Sequence, residues 1–251
     1  MIRKKNNVNS NISAVILAAG FGMRIENNIP KALLKIRNNK TILDYQLEAL
    51  SGYIPSNNII VVVGYKKELV MEQHPELTFV YNEAYNRTNT GKSLLKAVVK
   101  IRDRHILWLN GDVIFDRKVL PRIIKNALNT NKSCVLVDNK KCGEEEVKYS
   151  INGHGNINYI SKVIIDPMGE ALGINMCIKK DIPLLVKHLS GIDARDYFEK
   201  AIENMIRKNR AEFIPVNAGK LFCQEIDFPE DLKNVKNYLR TQTKATSKHS
   251  K

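Results

Sequence analysis

Leu17-Ala18-Ala19-Gly20-Phe21-Gly22-Met23-Arg24, followed after five residues by Pro30-Lys31, sets two glycines beside an apolar run and two cations just beyond them. Glycine has no Cβ, so main-chain N–H groups in such a loop can approach phosphate oxygens closely, and an arginine and a lysine at its far end can neutralise a triphosphate. The residues from Leu17 to Met23 therefore read as a phosphate cradle. It is not a P-loop, since no Gly-Lys-Ser/Thr stands at the required distance, and it is not the dinucleotide fingerprint, since the third glycine is missing.

Such a loop needs a buried strand before it, and Ala14 to Leu17 is the continuous apolar run of a strand covered on both faces. From Ser13 to about Ile226, short β-branched runs alternate with helix-period segments, the mark of one α/β domain with a largely parallel sheet. Thr41 caps a helix through Leu50. A strand Asn58 to Val63, a helix near Lys66 to Glu72, a strand near Leu77 to Val80, a helix Gly91 to Ile101 and a strand Ile106 to Leu109 follow. The second half opens with a helix near Leu120 to Leu128 and a strand Cys134 to Val137. Val147 to Ile151 and Ile157 to Ile160, separated by Asn152-Gly153-His154-Gly155-Asn156, read as an antiparallel hairpin. Helices Ile182 to Leu189 and Asp193 to Lys208, strands near Phe213 to Val216 and Phe222 to Ile226, and a helix from Pro229 complete the domain. The expected organisation is a flexible extension over 1–12, a single domain over 13–240 and a disordered basic tail over 241–251.

Composition narrows the class of protein. The 251 residues carry a formal charge of +14 with 43% hydrophobic and 26% charged residues, which excludes fibrous and wholly disordered chains. Seven of the fourteen excess charges fall on Arg3, Lys4, Lys5, Arg240, Lys244, Lys248 and Lys251 at the two ends. The remainder fits a protein that handles nucleoside triphosphates better than one that binds nucleic acid, for which no RNP, helix-turn-helix or zinc pattern is present. No apolar run reaches the length of a membrane span, so stable membrane insertion is not expected. Cys134, Cys142, Cys177 and Cys223 show no ligand spacing and read as reduced thiols in a cytoplasmic protein. A homodimer is compatible with all of this.

Beyond the first loop, four segments point the same way: Leu107-Trp108-Leu109-Asn110-Gly111-Asp112-Val113; Val147-Lys148 with Ile160-Ser161-Lys162; Gly169-Glu170-Ala171-Leu172-Gly173-Ile174; and Glu225-Ile226-Asp227-Phe228-Pro229-Glu230-Asp231-Leu232. Together with LAAGFGMR…PK they resemble the nucleotidyltransferases that activate phosphorylated small molecules, among them sugar-1-phosphate, phosphocholine and phosphonate enzymes. The resemblance implies a GT-A-like fold: a Rossmann-like, mostly parallel sheet with flanking helices and an antiparallel hairpin insertion. It implies that an acceptor oxygen attacks the α-phosphorus of a nucleoside triphosphate and pyrophosphate leaves, with Arg24 and Lys31 as the catalytic cations. Asp112 and Asp227, each at the end of an expected strand, would hold Mg²⁺, and Gly111 would line the nucleotide site.

The branch is less sharply marked. Only Ile25 to Ile29 separates Arg24 from Pro30, which resembles the cytidylyltransferases of polyol and inositol phosphates, whereas later segments look more like phosphocholine enzymes. CTP is the expected donor, with a phosphorylated or phosphonylated small alcohol or amine, such as phosphocholine or 2-aminoethylphosphonate, as acceptor. The alternative is a sugar-1-phosphate uridylyl- or thymidylyltransferase. Tyr81 to Leu95 resembles the element that reads the base, with Asn89, Thr90 and Ser93 as its polar groups. Glu83, Tyr85, Lys92, Lys148, Lys162 and Glu170 are the expected acceptor contacts, and Lys92 departs from the phosphocholine pattern in a way that suits a more anionic acceptor.

Overall fold

The computed structural model describes residues 9–21 and 28–248. In chain order the first half contains β1 (Ile12–Ala18), β2 (Lys35–Arg37), β3 (Lys40–Thr41), α1 (Ile42–Leu50), β4 (Ile59–Val63), α2 (Lys67–Gln73), β5 (Thr78–Tyr81), α3 (Thr90–Val98), β6 (His105–Asn110) and β7 (Val113–Phe115). The second contains α4 (Val119–Thr130), β8 (Ser133–Asp138), β9 (Lys148–Ile151), β10 (Ile157–Ser161), β11 (Gly169–Cys177), α5 (Ile182–Gly191), α6 (Phe198–Asn209), β12 (Phe213–Asn217), β13 (Cys223–Glu225) and α7 (Pro229–Lys248).

β1 is buried along its whole length and lies between β4 and β6, parallel to both, with β5 parallel to β4 beyond. Its side chains alternate between two cores, as the period of a strand demands. Ile12, Ala14, Ile16 and Ala18 pack with Leu43, Leu50, Leu120 and Leu136 on one face, and Val15 and Leu17 with Leu94, Val98, Trp108 and Phe198 on the other. The other half of the sheet is antiparallel. β11 runs against β6, β8 and β9, the β9–β10 hairpin forms one edge, and β12 pairs parallel to β8.

Local chemistry explains where several elements begin. Thr41 Oγ1 accepts the Asp44 N–H at 3.1 Å while Asp44 Oδ2 accepts the Thr41 N–H at 2.7 Å, a reciprocal cap that fixes the start of α1. Asp193 N–H bonds Asp196 Oδ2 at 3.0 Å in a turn, so α6 opens at Phe198, five residues after the expected start at Asp193. β11 continues the Gly169 to Ile174 motif into a nine-residue strand, making the antiparallel part larger than one hairpin.

Asn9 N–H bonds Tyr53 O at 2.8 Å and β1 starts at Ile12, so part of the expected flexible extension is held. α7 runs on to Lys248 through most of the expected disordered tail, which contains no glycine or proline to stop it. A third apolar cluster of Leu34, Ile36, Ile42, Ile114, Ile226, Val235 and Leu239 ties α7 to β2 and β7. It brackets the two segments that carry Lys31 and Asp227.

Candidate active site

β1 and β6 end side by side, with Leu17 opposite Asn110, and the Gly111 N–H donates to Leu17 O at 2.9 Å. A Cβ on Gly111 would sit 2.6 Å from that carbonyl oxygen, so only glycine lets the turn after β6 come this close to the turn after β1. Asp112 follows at once. A cleft of about 470 Å³ opens here, at the carboxyl ends of parallel strands, where open α/β sheets bind ligands. Leu17, Ala18, Gly20, Lys31, Thr90, Gly111, Asp112, Lys162, Glu170 and Asp227 are among the expected site residues that line it.

Its charged centre is built from three distant segments. Lys31, in a short 3₁₀ turn after Pro30, places its Nζ 2.8 Å from Asp112 Oδ2 and 2.9 Å from Asp227 Oδ1. Burial works against the ammonium, but the two carboxylates outweigh it and raise the Lys31 pKa above that of an ordinary lysine. Asp227 precedes a helix, where an aspartate commonly serves as a cap. Here Asp231 takes that duty, accepting the N–H groups of Asp227 and Phe228 at 3.0 and 2.8 Å, and the Asp227 carboxylate is turned to Lys31 instead. Behind the pair, burial together with the Asp112 carboxylate pushes Glu225 up to about 8, against the Asn110 amide that donates to its Oε1 at 2.6 Å.

This donor set suits a hard divalent cation. Asp112 and Asp227 converge on one point, which the Lys31 ammonium shares, and Mg²⁺ favours one or two carboxylates completed by phosphate oxygens and water. Among the described residues no group of three or more His, Cys, Asp or Glu side chains is arranged to hold a metal ion alone. An ion bound here would draw its remaining ligands from the substrate.

The other expected residues divide into those at the cleft and those that build its walls. Gly22, Met23 and Arg24 lie outside the described residues. Ala19 is buried and accepts the Tyr65 N–H at 3.1 Å; Phe21 packs 5.1 Å from both Tyr65 and Tyr85. Tyr85 thus supports the loop from outside. Asn89 caps α3 through its bond from the Thr90 N–H at 2.8 Å, and Ser93 is buried, accepting from Asn82 Nδ2 at 3.0 Å. Of the three polar groups, only Thr90 reaches the cleft wall, where its Oγ1 also accepts the Phe198 N–H at 3.3 Å.

Three expected acceptor contacts are engaged elsewhere. Both Glu83 oxygens hold Lys96 Nζ at 2.8 Å on the surface. Lys92 Nζ donates to Leu189 O and Ser190 O, each at 3.0 Å, closing the last turn of α5. Lys148 Nζ donates to Lys162 O at 2.7 Å, within the hairpin. Lys162 and Glu170 do line the cleft. Lys162 Nζ sits 5.1 Å from the Tyr197 ring centre, and Glu170 is buried against Lys140 Nζ at 2.8 Å, with burial raising its pKa.

Several cleft residues were not among those expected. Glu225 and Asn110 stand within the recognised motifs, next to the residues picked from them. Lys140, Glu146, Tyr197 and Glu199 carry no comparable signal, since single charged or aromatic residues near element ends are ordinary surface features.

Fold and site together define an α/β domain that presents a glycine-bearing loop, a lysine and two converging carboxylates at the strand ends. Residues 14–184, more than half of the chain, match the MobA-like NTP transferase domain, and the chain belongs to that family. The bifunctional protein GlmU of Francisella philomiragia is 35% identical over 117 residues, which are 46% of this chain and 26% of GlmU. The chain thus spans about a quarter of the length of that relative. Among solved structures, the CTP:phosphocholine cytidylyltransferase LicC of Streptococcus pneumoniae is similar at a TM-score of 0.71 with 21% identity, over 91% of this chain and 99% of that one. The inositol-1-phosphate CTP transferase of T. maritima is similar at 0.73 with 18% identity, over 91% and 95%. A UDP-glucose pyrophosphorylase bound to UDP-glucose is similar at 0.73 with 15% identity, over 92% and 98%. These likenesses show a shared fold.

Proposed function

We propose that the protein is a Mg²⁺-dependent cytidylyltransferase that transfers CMP from CTP to a small phosphorylated or phosphonylated alcohol or amine and releases pyrophosphate, in the cytoplasm, with its activity carried by the single domain over 13–240. The observation that carries it is the meeting of Lys31 with Asp112 and Asp227 at the carboxyl ends of the central strands. That set places a fixed cation and a metal-binding carboxylate pair together, which is what phosphoryl transfer asks of a protein that does little covalent chemistry itself. Asp112 and Asp227 would hold the metal, which supplies charge neutralisation on the triphosphate.

The reaction forms one bond, from an acceptor phosphate or phosphonate oxygen to the α-phosphorus, and breaks the α–β bridging bond, the electron pair leaving with pyrophosphate. Lys31 stabilises the charge on the α-phosphate, Arg24 binds the β- and γ-phosphates, and the backbone of Leu17 to Met23 cradles the chain of phosphates. In this reading Thr90 and Gly111, which line the cleft, serve the nucleotide, and Lys162 and Glu170, which also line it, serve the acceptor. The choice of CTP rests on the short span between Arg24 and Pro30.

The test is pyrophosphate release by the whole chain with each of the four NTPs against phosphocholine, 2-aminoethylphosphonate, glycerol phosphates and hexose 1-phosphates, with Mg²⁺ and with a chelator. CTP with a small phosphorylated or phosphonylated acceptor should turn over, and chelation should abolish it. Turnover confined to UTP or dTTP with a hexose 1-phosphate would overturn this reading.

A further inference from the structure

On the acceptor side of the cleft, Glu199 is a buried carboxylate whose surroundings leave it half used. It is the second residue of α6, is 7% exposed, and its Oε2 finds no hydrogen-bond donor among the described residues. Glu146 lines the same cleft and likewise keeps a buried Oε2 with no donor among them. A buried charged oxygen without a donor is costly, and folded proteins keep one where a ligand supplies the missing partner.

The charge balance of this end says what that partner is. Besides the Lys31 centre, the wall carries Glu145, Glu146, Glu170 and Glu199 against Lys140 and Lys162. Lys140 is committed to Glu170 at 2.8 Å, and Lys162 reaches Glu145 at 3.4 Å. Among the described residues that line this end, carboxylates therefore outnumber ammonium groups, in a chain whose formal charge is +14. Burial lifts the Glu199 pKa to about 7, the amide of its own residue and the Lys162 charge opposing it, so a cation arriving beside it would draw the carboxyl into its ionised form. The Tyr197 ring already faces the Lys162 ammonium, so this corner accommodates a cation against an aromatic face. An acceptor brings its own negative charge to the reacting end, so it is the remote end that must complement this wall. A hydroxyl could fill one hydrogen bond but would leave the excess negative charge unbalanced.

We propose that Glu199, with Glu146 lining the same cleft, selects acceptors whose end remote from the phosphate or phosphonate is an ammonium group. This rests on the nucleotidyl-transfer reading for the identity of the reacting end.

The test compares 2-aminoethylphosphonate with propylphosphonate, its isostere with an uncharged methyl in place of the ammonium, on the whole chain. Titration calorimetry is expected to give about tenfold or tighter binding of the amine, and pyrophosphate release with CTP to show the same preference mainly in KM. In Glu199→Gln the preference should shrink to within about threefold, with the weak binding of propylphosphonate unchanged; Glu146→Gln should shrink it less. Equal binding of the two probes, binding of neither, or an undiminished preference in Glu199→Gln overturns the proposal. Equal use of both probes as CMP acceptors would refute the selectivity and leave the transferase reading intact. Selective binding without pyrophosphate release from any NTP would refute the transferase reading and leave the selectivity standing.

Discussion

Lys31 Nζ and Asp112 Oδ2 meet at 2.8 Å across 81 residues of sequence, with Asp227 completing the group from the far end of the domain. The ammonium keeps two carboxylates together that would otherwise repel each other.

Removing that ammonium should separate the two duties. Lys31→Met is expected to lower turnover by about a thousandfold or more, as expected for the loss of a cation aimed at developing charge, while the circular-dichroism spectrum stays native. It should also lower Tm in metal-free buffer, since Asp112 and Asp227 are left facing each other, and added Mg²⁺ should raise Tm more in the variant than in the parent chain. Turnover within tenfold of the parent would exclude Lys31 from the chemistry.

Gly173 supports the same centre from behind. Its φ is +67°, and a Cβ there would fall 2.4 Å from Glu225 Oε1 and 2.8 Å from Asn110 Nδ2, the pair joined at 2.6 Å. Gly173→Ala combines backbone strain with a clash in a buried polar pair and should cost roughly 1–3 kcal/mol of stability in urea unfolding. Turnover should fall with it, because β13, which carries Glu225, leads directly to Asp227. A variant as stable as the parent would mean that the strand bends freely at this point.

What could be read from the sequence follows from how locally each feature is encoded. β1 with its loop, the Thr41 cap and the Gly111-Asp112 turn are each specified by neighbouring residues, so apolar runs and single glycines reveal them. Side-chain destinations are not local. Lys92 ends on the carbonyls of α5, nearly a hundred residues later, and Glu83 on Lys96 in the last turn of α3, and neither partner is visible in the motif around them. Glu199 escaped notice because a glutamate in the first turn of a helix is an ordinary stabilising choice. Only the packing of α6 against the cleft distinguishes it.

The destination of Lys92 can itself be checked. Lys92→Met removes two 3.0 Å bonds to the carbonyls of Leu189 and Ser190 and should cost roughly 0.5–2 kcal/mol, seen as a lower Tm. The KM values for nucleotide and acceptor should move by less than about twofold. A rise in acceptor KM of tenfold or more would return Lys92 to the substrate site.

Glu199 makes the opposite prediction for stability. Its pKa is lifted from 4.5 to about 7 by burial, with Lys162 the nearby cation pulling it down, and the Glu225 carboxyl feels its charge from across the cleft. The folded chain therefore keeps a proton that the unfolded chain releases between these two values, so this residue's contribution to stability falls as pH rises from 4.5 to 7 and stays low above. Glutamine has the same shape and no charge to bury. Glu199→Gln should match the parent near pH 4.5 and exceed it by roughly 1–3 kcal/mol at pH 8 in urea unfolding. A loss of stability at pH 8 would mean that the carboxylate has a partner holding it in the folded state. A gain, set beside a loss of discrimination between amine and neutral acceptors, would mark a side chain kept charged against the interest of the fold, which is the signature of a residue retained for its ligand.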